Sequence, residues 1–213
     1  MMTLSSLHDA RPRPTSVPAA ATRILALCLG LLLGGCASLR PVETPATLPD
    51  ARSLSAWQAD GKAGVRFLGN TISATYRWQR EGDNYSAEAA GPLNQGRTTL
   101  VSRDGQVVLE NAWLGRRESD DAEGLAEAMT SIRIPLSRLN AWLMGWPADP
   151  ATTVDTLGGD AGVREFRESG WTVRVMAEQD AAGYRIPSRL IMTRDEDRIV
   201  LSISNWQPVA SLP

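Results

Sequence analysis

The residue types that carry most enzyme chemistry are scarce in this 213-residue chain, which has one histidine, His8, and two cysteines, Cys28 and Cys36. Cys36 follows Leu33-Gly34-Gly35 at the end of an apolar run of ten residues, Ile24 to Leu33. A membrane-spanning helix needs about 20 apolar residues, so the run is too short to span. The polar stretch before it carries Arg11, Arg13 and Arg23 against Asp9. A basic segment, a short apolar segment and small residues in that order read as a secretory signal. Cleavage ahead of Cys36 removes His8 and Cys28 and leaves Cys36 as the only cysteine. Ser-His-Asp, Cys-His and histidine–metal chemistry are then excluded. A carboxylate pair or an Asp/Glu metal site would survive, but Asp120-Asp121 and Asp195-Glu196-Asp197 sit in turns and read as solvated charge. No catalytic residue, metal site or cofactor is expected, and the chain reads as a non-enzyme.

Small residues before a cysteine at this point resemble a bacterial lipobox. The resemblance implies diacylglycerol on the Cys36 sulfur, cleavage before it and N-acylation; the alternative is a plain signal with an incidental cysteine. In lipoproteins Asp after the cysteine goes with inner-membrane retention, so Ala37 implies the periplasmic face of the outer membrane of a Gram-negative type bacterium. The chain therefore divides into a signal over 1–35, a lipidated N-terminus and tether over 36–52, and a domain over 53–213. Pro41, Pro45 and Pro49 make the tether extended and semi-stiff.

The domain must hold whatever function there is. Hydrophobic residues at 43% and charged residues at 22% are ordinary for a globular chain. The net charge of −2 and the absence of a basic stripe make nucleic acid an unsuitable partner. Ile72, Ala74, Tyr76 and Trp78 alternate with polar residues over 71–79, the mark of a half-buried strand. Residues 84–90 alternate likewise, and 98–102 and 106–112 form a hairpin at Asp104-Gly105. The period then changes. Leu125 and Met129, with Ala122 and Ala126 alongside, predict a helix starting near Asp120-Asp121, although Gly124 weakens it. A second helix follows Pro135, with Leu136, Leu139 and Leu143 on one face and Trp142 beside it, ending at Gly145. Strands return at 171–177, 189–194 and 198–205. Strands, two helices, then strands exclude an alternating parallel fold. The pattern predicts one strongly curved antiparallel sheet with helices over one face.

All seven tryptophans lie in this domain: Trp57, Trp78, Trp113, Trp142, Trp146, Trp171 and Trp206. Core packing accounts for any one of them. A gap between sheet and helices, lined by aromatics with Met129, Met144, Met176 and Met192, would instead be an apolar cavity. One loop stands apart. Gly91-Pro92-Leu93-Asn94-Gln95-Gly96 has turn chemistry except for Leu93. Leu93 either folds back onto the sheet end or protrudes toward a membrane or a partner.

Taken in order, these pieces resemble the LolB family of outer-membrane lipoproteins, which receive other lipoproteins from the soluble periplasmic carrier LolA. The resemblance rests on the lipobox at Cys36, Trp57 with Gly61-Lys62 and Gly64, Tyr76 and Trp78, and Gly91-Pro92-Leu93. It continues through Ile134-Pro135-Leu136, Leu139, Trp142, Gly145 and Pro147 to Gly170-Trp171-Thr172-Val173, Ile186-Pro187, Ile203 and Trp206. It implies a half-open antiparallel β-barrel under a helical lid, enclosing an apolar cavity for acyl chains. Candidate cavity residues are Trp57, Ile72, Tyr76, Trp78, Leu125, Met129, Leu139, Trp142, Trp171, Met176 and Met192. The family's protruding leucine carries over to Leu93, with Pro92 beside it, as a membrane-insertion loop. The family often has glycine after that leucine, where this chain has Asn94, a residue that tolerates left-handed backbone. The implied partners are a LolA-like carrier, cargo acyl chains and outer-membrane lipid, with the protein itself a monomer. The competing class is a structural or accessory outer-membrane lipoprotein with a closed core.

Overall fold

The computed structural model describes residues 48–67, 69–130, 134–158 and 162–209, without the side chains of Met129 and Thr130. The signal segment, Cys36 and the tether as far as residue 47 lie outside the described residues. Six strands come first: β1 (Ala56–Phe67), β2 (Asn70–Glu81), β3 (Asn84–Ala90), β4 (Thr98–Arg103), β5 (Gln106–Asn111) and β6 (Gly115–Ser119). Helices α1 (Ala122–Thr130) and α2 (Leu136–Trp142) follow. The chain closes with β7 (Val154–Leu157), β8 (Val163–Glu168), β9 (Trp171–Ala181), β10 (Tyr184–Arg194) and β11 (Asp197–Pro208).

All eleven strands form one antiparallel sheet in the order β6-β5-β4-β3-β2-β1-β11-β10-β9-β8-β7. The first and last strands meet in the middle, and the chain leaves one edge at β6 and re-enters at the other edge, β7. The sheet does not close, and both helices lie in that edge-to-edge crossing. Tight turns at Asp104-Gly105 and Ala182-Gly183 have positive φ at both central residues, the conformation that matches strand twist in two-residue hairpins. At Asp60/Gly61 the β1–β11 register shifts by a bulge, where a Cβ on Gly61 would overlap the Ser202 carbonyl; only glycine fits there.

Register places alternate residues on a common inner face. Ala59, Trp78, Ala87, Leu100 and Leu109 lie side by side across β1 to β5. Ala63, Leu201, Leu190 and Val175 continue that face across β1, β11, β10 and β9. The helices cover it. Trp142 on α2 packs edge-on against Phe166 of β8, with ring centroids 6.3 Å apart. Asn140, two residues earlier, accepts the indole N–H of Trp78 on β2 at 2.8 Å. One short helix thus reaches strands five places apart in the sheet, about 24 Å if it lay flat. The sheet wraps around α2, which is the strongly curved, lidded arrangement expected.

Sequence and structure differ at the ends of elements and at the sheet edges. The first helix begins at Ala122, capped by Asp121, whose Oδ1 accepts the Gly124 N–H at 2.9 Å. A Cβ at Gly124 would overlap that carboxylate, so the glycine that weakened the expectation is what admits the cap. Strands β6, β7 and β8 carry no clean apolar alternation and were not anticipated. The domain also starts earlier than residue 53. Asp50 bridges to Arg185, the Arg185 N–H donates to the Pro49 carbonyl at 3.4 Å, and Ala51 is buried. The ring of Trp146 has the Arg52 guanidinium 3.9 Å and the Arg164 guanidinium 4.3 Å from its centroid, which ties this entry segment to the end of α2.

Candidate functional site

The inner face under the helices is the first part of the candidate site. Trp57, Trp78, Leu139, Trp142, Trp171 and Met192 are buried there in one continuous apolar core, with Tyr76 and Leu125 packed at its margin. Trp78 stacks on Tyr85 with centroids 5.2 Å apart and planes 7° apart. Among buried side-chain polar atoms, the indole nitrogens of Trp57 and Trp206 lack hydrogen-bond partners. Trp142 is held differently. Its Nε1–H donates to Glu168 Oε2 at 2.6 Å. Glu168 also accepts the Ala148 and Asp149 backbone N–H groups at 3.0 and 2.8 Å, and Arg138 at 3.1 Å. A buried carboxylate is tolerable because donors surround it.

Toward the other end of the sheet the cover stops. On the inner face of β2, Trp78 is buried, Tyr76 and Ala74 are half-buried, and Ile72 is 58% exposed. Ala63 and Val65 of β1 lie beside Ala74 and Ile72. An apolar strip therefore runs from open solvent to the Trp78–Asn140 contact beneath the lid. Burial raises the Tyr76 hydroxyl far above its ordinary pKa, with Asp60 adding to the shift; the group stays neutral. Met176 departs from expectation. It is 39% exposed and follows Val175 on the opposite face of β9, because strand alternation puts it one residue out of phase with the inner set. Met129's side chain lies outside the described residues.

The second part is the β3–β4 loop. Gly91 to Gln95 make a tight turn, closed by the Gly91 N–H donating to the Gln95 carbonyl at 2.9 Å and the Gln95 N–H donating to the Pro92 carbonyl at 3.3 Å. Leu93 has φ 57° and Asn94 φ 63°, left-handed values that L-residues with branched side chains seldom adopt. Asn94 thus takes the backbone form its type permits, and the turn is built. Leu93 is 92% exposed. Of the two alternatives open in the sequence, folding back onto the sheet is therefore excluded. An open groove of about 560 Å³ lies beside the loop, lined by Pro92, Leu93 and Asn94 with Gly64, Ser73 and Val200 of the outer sheet face.

Residues 55–206 match the family model described as outer membrane lipoprotein LolB. The chain belongs to the LolB family. An outer-membrane lipoprotein LolB from Stutzerimonas stutzeri is 34% identical over 195 residues, covering 87% of this chain and 95% of that one. The LolB of Pseudomonas putida is 33% identical over 187 residues, covering 83% and 91%. A LolA-superfamily protein from Nitrosomonas europaea, known by crystal structure, aligns over 76% of this chain and 89% of its own at TM-score 0.45 and 14% identity. Among the described residues no helix is long and apolar enough to cross a membrane, and no cluster of three or more His, Cys, Asp or Glu could hold a metal.

Within this LolB-family domain, reading the sequence missed two things. Asn140 and Glu168 anchor the lid through tryptophan indoles, and nothing in their spacing advertises it. Trp113, one of the seven tryptophans whose type suits a core or cavity, is 74% exposed, and its neighbour Leu114 is 52% exposed. The usable signal was local: Ala112-Trp113-Leu114-Gly115 breaks strand alternation just where a turn must fall.

Proposed function

We propose that this LolB-family chain accepts lipoproteins from a LolA-like periplasmic carrier and inserts them into the inner leaflet of the outer membrane, where acylated Cys36 anchors it. The observation that supports the reading best is Leu93, almost wholly exposed at the tip of a turn whose backbone holds it outward. Folding gains nothing from such a residue, whereas lipid burial of one leucine contributes about 1.5–3 kcal/mol. The role is not enzymatic. One long acyl chain hides on the order of 10 kcal/mol of apolar surface, so cargo moves between apolar sites and not through water. Net transfer needs tighter apolar contact in the receiver than in the carrier.

In this reading the acyl chain enters along the uncovered strip of Ile72, Ala74, Ala63 and Val65. It then lifts α1 and α2 from the inner face, taking the place of core contacts around Trp78, Leu139 and Trp142. The polar contacts that such a movement must break are discrete, Trp78–Asn140 and Trp142–Glu168. The test is transfer of an acylated lipoprotein from loaded carrier to the purified protein. The Cys36→Ala form should fold and still accept cargo. Absence of transfer, with the inner face inaccessible to an apolar fluorescent probe, would instead assign the chain to accessory lipoproteins with a closed core.

A further inference from the structure

The β5–β6 turn lies at the same end of the sheet as the Leu93 loop and is built onto it. The Trp113 ring sits so close to Gly96 that a Cβ there would lie 2.7 Å from it. The Ala112 N–H donates to Arg97 O at 3.0 Å, and Asn111 Nδ2 donates to Thr98 Oγ1 at 2.8 Å. Asn111 Oδ1 in turn accepts the backbone N–H groups of both Trp113 and Leu114, at 2.9 and 3.0 Å. Two turns are thereby fixed as one unit, yet their largest apolar side chains, Leu93, Trp113 and Leu114, all face solvent. Such clustering marks an interaction surface.

We propose that Trp113 and Leu114 form, together with Leu93, one docking edge for a phospholipid bilayer. The inference rests on the membrane-insertion reading of Leu93 and adds a second turn to it. Lipid fits better than a protein for three reasons. The side chains project from the tips of turns, so they need depth and not shape complementarity. Tryptophan, with an apolar ring and one N–H donor, favours the boundary between headgroups and acyl chains. Arg97, Arg116 and Arg117 stand directly behind the edge, placed to meet lipid phosphates. Arg97 and Arg116 are paired with Glu88 and Glu118, while Arg117 has no carboxylate partner among the described residues and donates only to the Arg116 carbonyl. A two-turn edge also fixes orientation, which one leucine cannot do.

The test uses the mature lipidated protein, in which an introduced cysteine is the only free thiol. Nitroxide labels at Leu93→Cys, Leu114→Cys and Met176→Cys are examined on vesicles of phosphatidylethanolamine with a minority of phosphatidylglycerol. Labels at positions 93 and 114 should both become accessible to oxygen and shielded from a water-soluble nickel chelate. The label at 176, on the outer face, should stay aqueous. An aqueous label at 114 beside an immersed one at 93 overturns this inference and leaves the Leu93 reading standing. Aqueous labels at both positions overturn both. A label at 114 that stays aqueous on vesicles but is immobilised by the carrier protein in solution assigns the turn to the carrier and likewise overturns the proposal.

Discussion

The indole N–H of Trp142 donates to Glu168 at 2.6 Å across the interface between α2 and the sheet. The same carboxylate takes two backbone N–H groups from the segment after the helix, and an Arg138 guanidinium. Removing it would strand a buried indole N–H and two backbone donors together. Glu168→Ala should therefore cost about 3 kcal/mol or more in folding stability. Glu168→Gln keeps the shape and two of the acceptor contacts and should cost less than half of that. Urea denaturation of both variants checks the ratio; equal, small losses would show that the carboxylate is not the clasp.

The Trp78–Asn140 contact joins the lid to β2 at the mouth of the uncovered strip, which sets stability against binding. Asn140→Ala leaves the Trp78 N–H buried without a partner and should cost about 1–3 kcal/mol. If acyl chains enter by lifting the lid, the same variant should bind an apolar probe more readily, because less must be broken to open. Reduced stability with unchanged probe binding would return Trp78 to a purely structural role.

These two contacts also mark the limit of what could be read from sequence. The antiparallel sheet was legible because β2, β3, β9 and β11 alternate cleanly, and a one-residue slip would turn every apolar side chain outward. The helices were legible from Leu136, Leu139 and Leu143 and from the Gly145 stop, where φ is +81°. Strand β8 was not, because its inner positions read Arg164, Phe166, Glu168: two charged residues interrupt the apolar phase, and their partners come from β9, α2 and the loop after it. Edge strands β6 and β7 bury little and so carry no pattern. Leu93 could be singled out by composition, but its direction depends on a left-handed backbone that no spacing reveals.

That backbone gives Leu93 a prediction of its own. Leu93 at φ 57°, ψ 27° holds a conformation that costs L-residues about 1–2 kcal/mol, part of which glycine gives back through its freer unfolded state. Leu93→Gly should raise stability by about 0.5–1 kcal/mol and abolish delivery of cargo to membranes. Leu93→Glu should leave stability within about 0.5 kcal/mol of the parent and also block delivery, with cargo still accepted from the carrier. Thermal denaturation and a transfer assay separate the steps. A large fall in melting temperature for the Glu variant would mean that the loop packs onto the sheet.

Asp60, at the β1 bulge, supplies a pH dependence. Burial alone would raise its pKa, but hydrogen bonds from Arg77, Gln58 and Asn205 and the Arg77 charge outweigh that and hold it below 3.8. A carboxylate whose folded pKa lies below its unfolded one stabilises the fold above the unfolded value. That contribution disappears as the pH falls through the folded value. The parent should therefore exceed Asp60→Asn in denaturation midpoint at neutral pH, and the gap should begin to narrow as the pH falls through about 4 and go on shrinking below it. A gap that is constant with pH would mean the carboxylate's charge is not what the bulge uses.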